Sequence, residues 1–423
     1  MKPEYFDQLI NLSAELMHQE DKMLPLCAAE NVMSPFSKIP LDTFLQEKYI
    51  MGGVLQYQNH SNFVGSEKLY KIYDLLNLQC KKMYDCKYSD ARTLSGVNAV
   101  TTLLMSLFSE GNTILISSEE CGGHSSMPKI CHRLGIRTIE LPYNYDEYDF
   151  DYEKSNELLR NGKIDGVLIC ISDLIKMPQL YKFCLPKNCT LIFDATQILG
   201  LIATETIQNP LKWFHDTQNV ILMGATHKTL PGPTCGLIMT NNLKLAKKFD
   251  TLINPDYLRN NQIHHIYSLI LSLMELEIFG KDYSNCIVKN ANLLAGYLKE
   301  NGFNVLEISP KFTYTHQLFI SMPYTVAEDF YKKCVEYGVS INLRNKRLYK
   351  PCGIRIGTQA ISRYGWGKEE MFLIAEILKD IRDNEGIIPD ILTKINTLSK
   401  QKKICYTFEK VYYDNVYNQL HNC

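Results

Sequence analysis

Residues 219–242 read "NVILMGATHKTLPGPTCGLIMTNN". From Val220 to Ala225 no side chain is charged, and "CGLIMT" repeats that character after a turn built on "LPGP". Runs that stay apolar at successive positions, with no polar alternation, fit strands buried on both faces. Upstream, "NTILISS", "GVLICIS" and "TLIFDAT" carry the same signature. Between them, "GVNAVTTLLMSLFSEGN" spaces Val97, Val100, Leu103, Leu104, Leu107 and Phe108 along one helical face, with Gly111 as its expected stop. Alternating buried strands and amphipathic helices predict an α/β domain on a parallel or mixed sheet.

From about residue 262 a long helical pattern begins, followed by a strand "HQLFISM", a helix "VAEDFYKKCVEYG", a strand "GIRIGT" and a helix "KEEMFLIAEILKDIRD". This order predicts a second, smaller α+β domain. The expected division is an N-terminal arm over 1–50, a large domain over 51–270 and a small one over 271–423.

Composition narrows the function classes. Lys and Arg total 45 against 46 for Asp and Glu, so no global field favours nucleic acid, an anionic membrane or a polyanionic substrate. The N-terminal "MKPEYFDQLINLSAELMHQED" is acidic and amphipathic, unlike a leader, and no uncharged run reaches the length of a membrane span. The 14 cysteines are scattered, and the close pair Cys80 and Cys86 lacks a metal site's spacing or second half. A cytoplasmic protein with reduced thiols and no metal is expected.

Lys228 stands just beyond a buried strand, where open α/β sheets bind ligands and where burial makes an amine nucleophilic. A single lysine in such a loop is ordinarily solvated. Two further features change its reading. Asp194 ends the strand "TLIFDAT", where a carboxylate can keep a pyridine nitrogen protonated, and Ser95 and Gly96 precede an amphipathic helix whose free N–H groups can hold a phosphate. Phosphate cradle, carboxylate and lysine, in that order, are what pyridoxal phosphate requires.

At these residues the chain resembles the serine hydroxymethyltransferase family over nearly its whole length. "THKTLPGPTCG" is similar to the family's threonine-histidine-lysine segment, which makes Lys228 the Schiff-base lysine. "FDATQILGL" resembles the strand whose aspartate, here Asp194, pairs with the cofactor nitrogen, and "SEECGGHSS" places His124 where the family stacks a histidine on the ring. Ser172 in "ICISD" falls where a residue meets the cofactor hydroxyl, and His227 beside the lysine completes the cofactor set as a packing or hydrogen-bonding residue. "GIRIGTQAISRYG" resembles the segment whose arginine, here Arg355, holds the substrate carboxylate. "CAAENVMS" and "QEKYIMGG" resemble pocket segments, so Glu30 and Tyr49 join the catalytic and substrate-binding candidates. Tyr49 and Tyr57 also lie in an aromatic, polar stretch suited to subunit contact.

The resemblance implies the fold of type I pyridoxal phosphate enzymes: a large domain on a mixed, mostly parallel sheet of the seven-stranded type, with a smaller α+β C-terminal domain. It also implies a homodimer or larger assembly with sites at the subunit interface.

Departures from the family pattern concentrate where folate would act. Met51 stands where a glutamate is usual, and a thioether cannot move a proton. Ala29 replaces a serine, Gln197 a histidine and Thr234 an arginine; Asn260 to Gln262 stand in place of a Gly-Gly-Pro phosphate contact. "INLRNKRLYKPCGIR" is short where folate would be contacted. The expected function is cleavage or formation of the Cα–Cβ bond of a β-hydroxy-α-amino acid through a carbanion equivalent of glycine. A folate-independent threonine aldolase or transaldolase, acting with an aldehyde, ranks first. A tetrahydrofolate-dependent serine enzyme and a non-catalytic pyridoxal-phosphate-binding or assembly protein are the alternatives. Glu30, His124 and a bound water are the candidate proton acceptors for the β-hydroxyl.

Overall fold

The computed structural model describes residues 2–55 and 63–421, so Tyr57 lies outside the described residues. The chain forms two compact units, Asn31–Asn285 with Tyr406–Cys423, and Met1–Glu30 with Cys286–Cys405. These do not follow the expected divisions at 50 and 270. Backbone pairing explains the N-terminal difference: Leu24 and Pro25 lie parallel to Val339 and Ser340, and Gly357 N–H donates to the Leu26 carbonyl over 2.8 Å. The C-terminal difference rests on aromatic packing, with the Phe408 ring 4.9 Å from Phe36 and 5.4 Å from Phe279. Beneath these rings the buried Glu275 accepts hydrogen bonds from Ser34 Oγ, at 2.9 Å, and from Thr407 Oγ1.

The larger unit is built on seven strands: β1 Tyr88–Thr93, β2 Thr113–Ile116, β3 Arg137–Glu140, β4 Gly166–Cys170, β5 Thr190–Asp194, β6 Val220–Ala225 and β7 Gly236–Thr240. Their order across the sheet is β1-β7-β6-β5-β4-β2-β3. β7 runs antiparallel to both neighbours, and all the other pairings are parallel. Every residue of β4 to β7 is buried, as the apolar runs required. The helix Gly96–Leu107 packs Val100, Leu103 and Leu104 into the core beside the sheet's Ile192, Ile221 and Met223.

Two expectations about this helix need correction. Val97, placed on its apolar stripe, is exposed, because the first turn faces an opening described below. Gly111 is not the stop: the helix ends at Leu107 with Phe108 as its cap, and Gly111 takes φ +84° in the following turn.

The smaller unit carries a three-stranded antiparallel sheet in which Cys352–Gly357 is central between Gln317–Ser321 and Asn342–Asn345. The helices Tyr324–Glu336 and Lys368–Asp383 contribute Ala327, Phe330, Met371, Ile374 and Leu378 to its core. No helix among the described residues is long and apolar enough to cross a membrane.

Residues 50–55 are held by a buried ionic network in the larger unit. Arg92 Nη2 lies 2.5 Å from both Asp90 Oδ2 and Asp250 Oδ1, and Nη1 donates to the Gly52 carbonyl over 3.0 Å. Asp250 also accepts from Val54 N–H at 2.6 Å, Asn254 Oδ1 from Gly52 N–H at 2.8 Å, and the Met51 carbonyl from Tyr70 OH at 2.7 Å. Burial pushes the Asp250 carboxyl up while the Arg92 guanidinium pulls it down. Removing one partner of a buried pair strands the other, so Asp250→Ala is expected to lower stability by roughly 3–5 kcal/mol, measured by urea unfolding. A loss comparable to that of an exposed pair such as Lys212–Glu205 would show that the network carries no special load.

Candidate active site

Strands β4, β5 and β6 end side by side, with Cys170 opposite Asp194 and Asp194 opposite Met223. Beyond these carboxyl ends lies a cavity of about 200 Å³. Ser95, Gly96, His124, Ser172, Asp194, His227 and Lys228 all line it, together with Cys170, Thr196 and Gln197. Segments far apart in sequence are thus brought together by the ends of parallel strands, where an open α/β sheet leaves room for a ligand.

Each wall has a local cause. Ser95 caps the helix Gly96–Leu107, its Oγ accepting from Asn98 N–H over 3.2 Å, so the remaining first-turn N–H groups and the positive end of the helix dipole face the cavity. A side chain at Gly96 would meet Ala225 Cβ at 3.0 Å, which leaves glycine as the residue that fits freely. In "CGGH", Gly122 takes φ +94°, and a Cβ on Gly123 would lie 2.4 Å from the Ser117 carbonyl oxygen. That tight turn directs His124 N–H onto the Cys170 carbonyl at 2.9 Å, while its Nδ1 accepts from Ser126 N–H at 3.2 Å. Ser172 N–H donates to the Gly122 carbonyl at 2.8 Å.

Asp194 is buried, with a donor on each oxygen: Thr196 N–H on Oδ1 and the Cys170 thiol on Oδ2, both at 2.9 Å. His227 is held below the ordinary imidazole value by burial and then by the Lys228 charge, and its Nδ1 is buried without a hydrogen-bond partner. Asn31, from "CAAENVMS", donates to the Lys228 carbonyl and, over 2.9 Å, to Tyr283 OH.

A helix N-terminus with an uncluttered glycine, a buried carboxylate, a half-buried lysine and an orphaned imidazole nitrogen fit an anionic, nitrogen-bearing aromatic aldehyde. Pyridoxal phosphate has those groups.

Three candidates lie outside this cavity. Tyr49 is 41% exposed, and its ring sits 4.7 Å from that of Phe63. Arg355, in the smaller unit, is 2% exposed, and Asn342 Oδ1 accepts from its Nε at 3.2 Å and its Nη2 at 2.8 Å. Glu30 is exposed, but its carbonyl accepts from Gln359 Nε2 at 2.5 Å, and the same amide donates to the Cys27 carbonyl at 2.7 Å. Asn260 and Asn261 bond within their own chain: Asn260 Oδ1 accepts from Ile50 N–H at 3.1 Å, and Asn261 Nδ2 donates to Tyr73 OH at 2.9 Å.

Sequence reasoning missed Cys170, Thr196 and Gln359. Cys170 hides inside an apolar strand, and Gln359 follows the recognisable "GIRIGT" with no signal of its own.

This fold and cavity define a type I α/β enzyme that uses pyridoxal phosphate. Residues 4–378 match the family model described as serine hydroxymethyltransferase, and the chain belongs to that family. The serine hydroxymethyltransferase of Picrophilus torridus is 30% identical over 413 residues, covering 92% of each chain. That of Sulfolobus acidocaldarius is 28% identical over 424 aligned residues, covering 97% of this chain and 96% of its own. The fold is shared with a solved L-threonine transaldolase from Pseudomonas fluorescens, in its internal aldimine state, at TM-score 0.89 and 23% identity, covering 98% of this chain and 97% of that one.

Two outcomes test the local geometry. Gln359→Leu leaves the Cys27 and Glu30 carbonyls without that amide; a loss of roughly 1–3 kcal/mol in stability and faster hydrogen exchange over residues 24–30 are expected. Because the folded-state pKa of His227 is depressed, its contribution to stability is present above 6.5 and is lost as pH falls. His227→Gln should therefore flatten the decline in cofactor-free stability between about pH 7 and pH 5, followed by thermal melts.

Proposed function

We propose that this enzyme is a folate-independent threonine aldolase or transaldolase, cleaving a β-hydroxy-α-amino acid between Cα and Cβ and, with a second aldehyde, forming a new one. The observation that carries this reading is Met51, which the buried network around Arg92 and Asp250 fixes by its backbone beside Tyr49. A thioether neither takes nor gives a proton, so the step that would use a carboxylate at this place to process folate is removed. The shared fold of the solved transaldolase supports the reading to the extent that the same architecture accommodates such chemistry.

When bound, pyridoxal phosphate supplies the electron sink for the pair released as a bond to the amino acid's Cα breaks. In this reading Lys228 Nζ holds its aldehyde carbon, Ser95 and Gly96 hold its phosphate, and Asp194 holds the proton at its pyridine nitrogen. His124, Ser172 and His227 complete the contacts. Arg355 binds the amino acid's carboxylate, and Asn342 fixes the guanidinium plane, so the bond to Cβ is selected by orientation. We assign the β-hydroxyl proton to Glu30, whose backbone Gln359 clamps. His124 is the weaker acceptor because its Nδ1 already accepts a backbone N–H.

A second copy of the chain completes this picture. The helix Phe6–Lys22 buries none of its residues and exposes Phe6, Leu9, Ile10, Leu16 and Met17, an apolar surface suited to self-association, and the exposed Tyr49 ring is available to a partner's site. A cytoplasmic location fits the cysteines among the described residues, which stand as free thiols.

The deciding experiment incubates the holoenzyme with threonine and serine, with and without tetrahydrofolate, and identifies products. Glycine and acetaldehyde from threonine without folate, and a new β-hydroxy-α-amino acid on adding another aldehyde, are expected. Conversion of serine to glycine that requires tetrahydrofolate and outpaces threonine would overturn the proposal in favour of a hydroxymethyltransferase. Borohydride treatment should fix a pyridoxyl mass on Lys228, and sedimentation should give a dimer or larger species.

A further inference from the structure

The floor of the cavity holds a contact that the proposed chemistry does not use. Cys170 and Asp194 are direct partners in the parallel ladder, at the last residue of each strand. The register alone sets their side chains on the same face, and the thiol reaches Asp194 Oδ2 at 2.9 Å. Thr196 N–H occupies the other oxygen at the same distance. Between them the two donors hold the carboxylate at its own strand end, with Cys170, Thr196 and Asp194 all lining the cavity.

We propose that Cys170 is a positioning residue for the cofactor, its S–H locking the Asp194 carboxylate in the orientation that receives the pyridine nitrogen. This rests on the assignment of Asp194 above. Burial first, then the Asp194 charge and hydrogen bond, raise the thiol well above its ordinary value, so the sulfur keeps its proton and acts as a donor. Its own surroundings give it a second tie, since the Cys170 carbonyl accepts from His124 N–H and the Cys170 N–H donates to Ser117 Oγ at 3.1 Å. The residue therefore sits on a backbone fixed on both sides, and its side chain has little freedom to leave Asp194.

Sulfur suits the position. A carboxylate at a cavity floor needs its orientation fixed while keeping enough negative charge to hold a proton on the bound ring. A thiol is a weak donor that draws off less of that charge than a hydroxyl, yet it fills the space between two strands. Without it, Oδ2 faces a gap, and the carboxylate can rotate about its χ angles away from the ligand.

The test titrates cofactor-free protein with pyridoxal phosphate and reads the dissociation constant, with cofactor-free melting temperatures recorded for every variant. Cys170→Ala and Cys170→Val both remove the donor, but valine keeps the volume, so packing and hydrogen bonding are separated. Both are expected to weaken binding about three- to tenfold, the range of one hydrogen bond. Cys170→Ser should restore binding to within about twofold of the parent, because a donor returns. In an Asp194→Asn background the loss from Cys170→Val should vanish, since the thiol acts through that carboxylate. The inference is overturned if Cys170→Val binds like the parent, if serine does not rescue, or if the loss persists in full in the Asp194→Asn background. Asp194→Asn alone separates the two levels: parental affinity there would overturn the assignment of Asp194 itself, whereas weak binding there with parental affinity in Cys170→Val would overturn only the role of the thiol.

Discussion

A strand buried on both faces can place unpaired charges only at its ends, and this constraint shapes the three strands that carry the cavity. Strands β4 to β6 carry no charged residue until Asp194, the last residue of β5. Their parallel register then sets Cys170, Asp194 and the turn bearing His227 and Lys228 at one edge. The cavity is a consequence of how an apolar sheet terminates, and its lining comes from the last residues of the strands and from those that follow them.

The segment before the cavity is ordered by the opposite strategy. Arg92, Asp90 and Asp250 are buried ions whose desolvation is offset by mutual contact and by backbone N–H groups of residues 54 and 55. Met51, the residue on which the proposed specificity turns, stands in the stretch these ions fix.

The five strands with continuous apolar runs were legible from residues alone, and so were two helices of the smaller unit, Tyr324–Glu336 and Lys368–Asp383. β1 was not, because "YSDART" puts Asp90 and Arg92 where apolar side chains were sought, and their burial depends on Asp250 far along the chain. β3 escaped for a different reason: "RTIE" is an exposed edge strand with no buried face to pattern it. Lys228, Asp194 and Ser95 could be named from their places at strand ends and a helix start, whereas His124, Ser172 and His227 were named only through the family resemblance. Cys170 and Gln359 act through contacts across 24 residues or more, and no local pattern encodes those.

The Glu275 carboxylate, gripped by hydroxyls from residues 34 and 407, ties together parts of the larger unit that are far apart in the chain. Until residues 406–421 have left the ribosome, that carboxylate lacks one of its donors, and Phe36 lacks the ring it later packs against. The seam beside Phe36 and Phe279 can therefore close only once residues 407 and 408 are present, which makes its contacts among those of longest sequence separation in the unit.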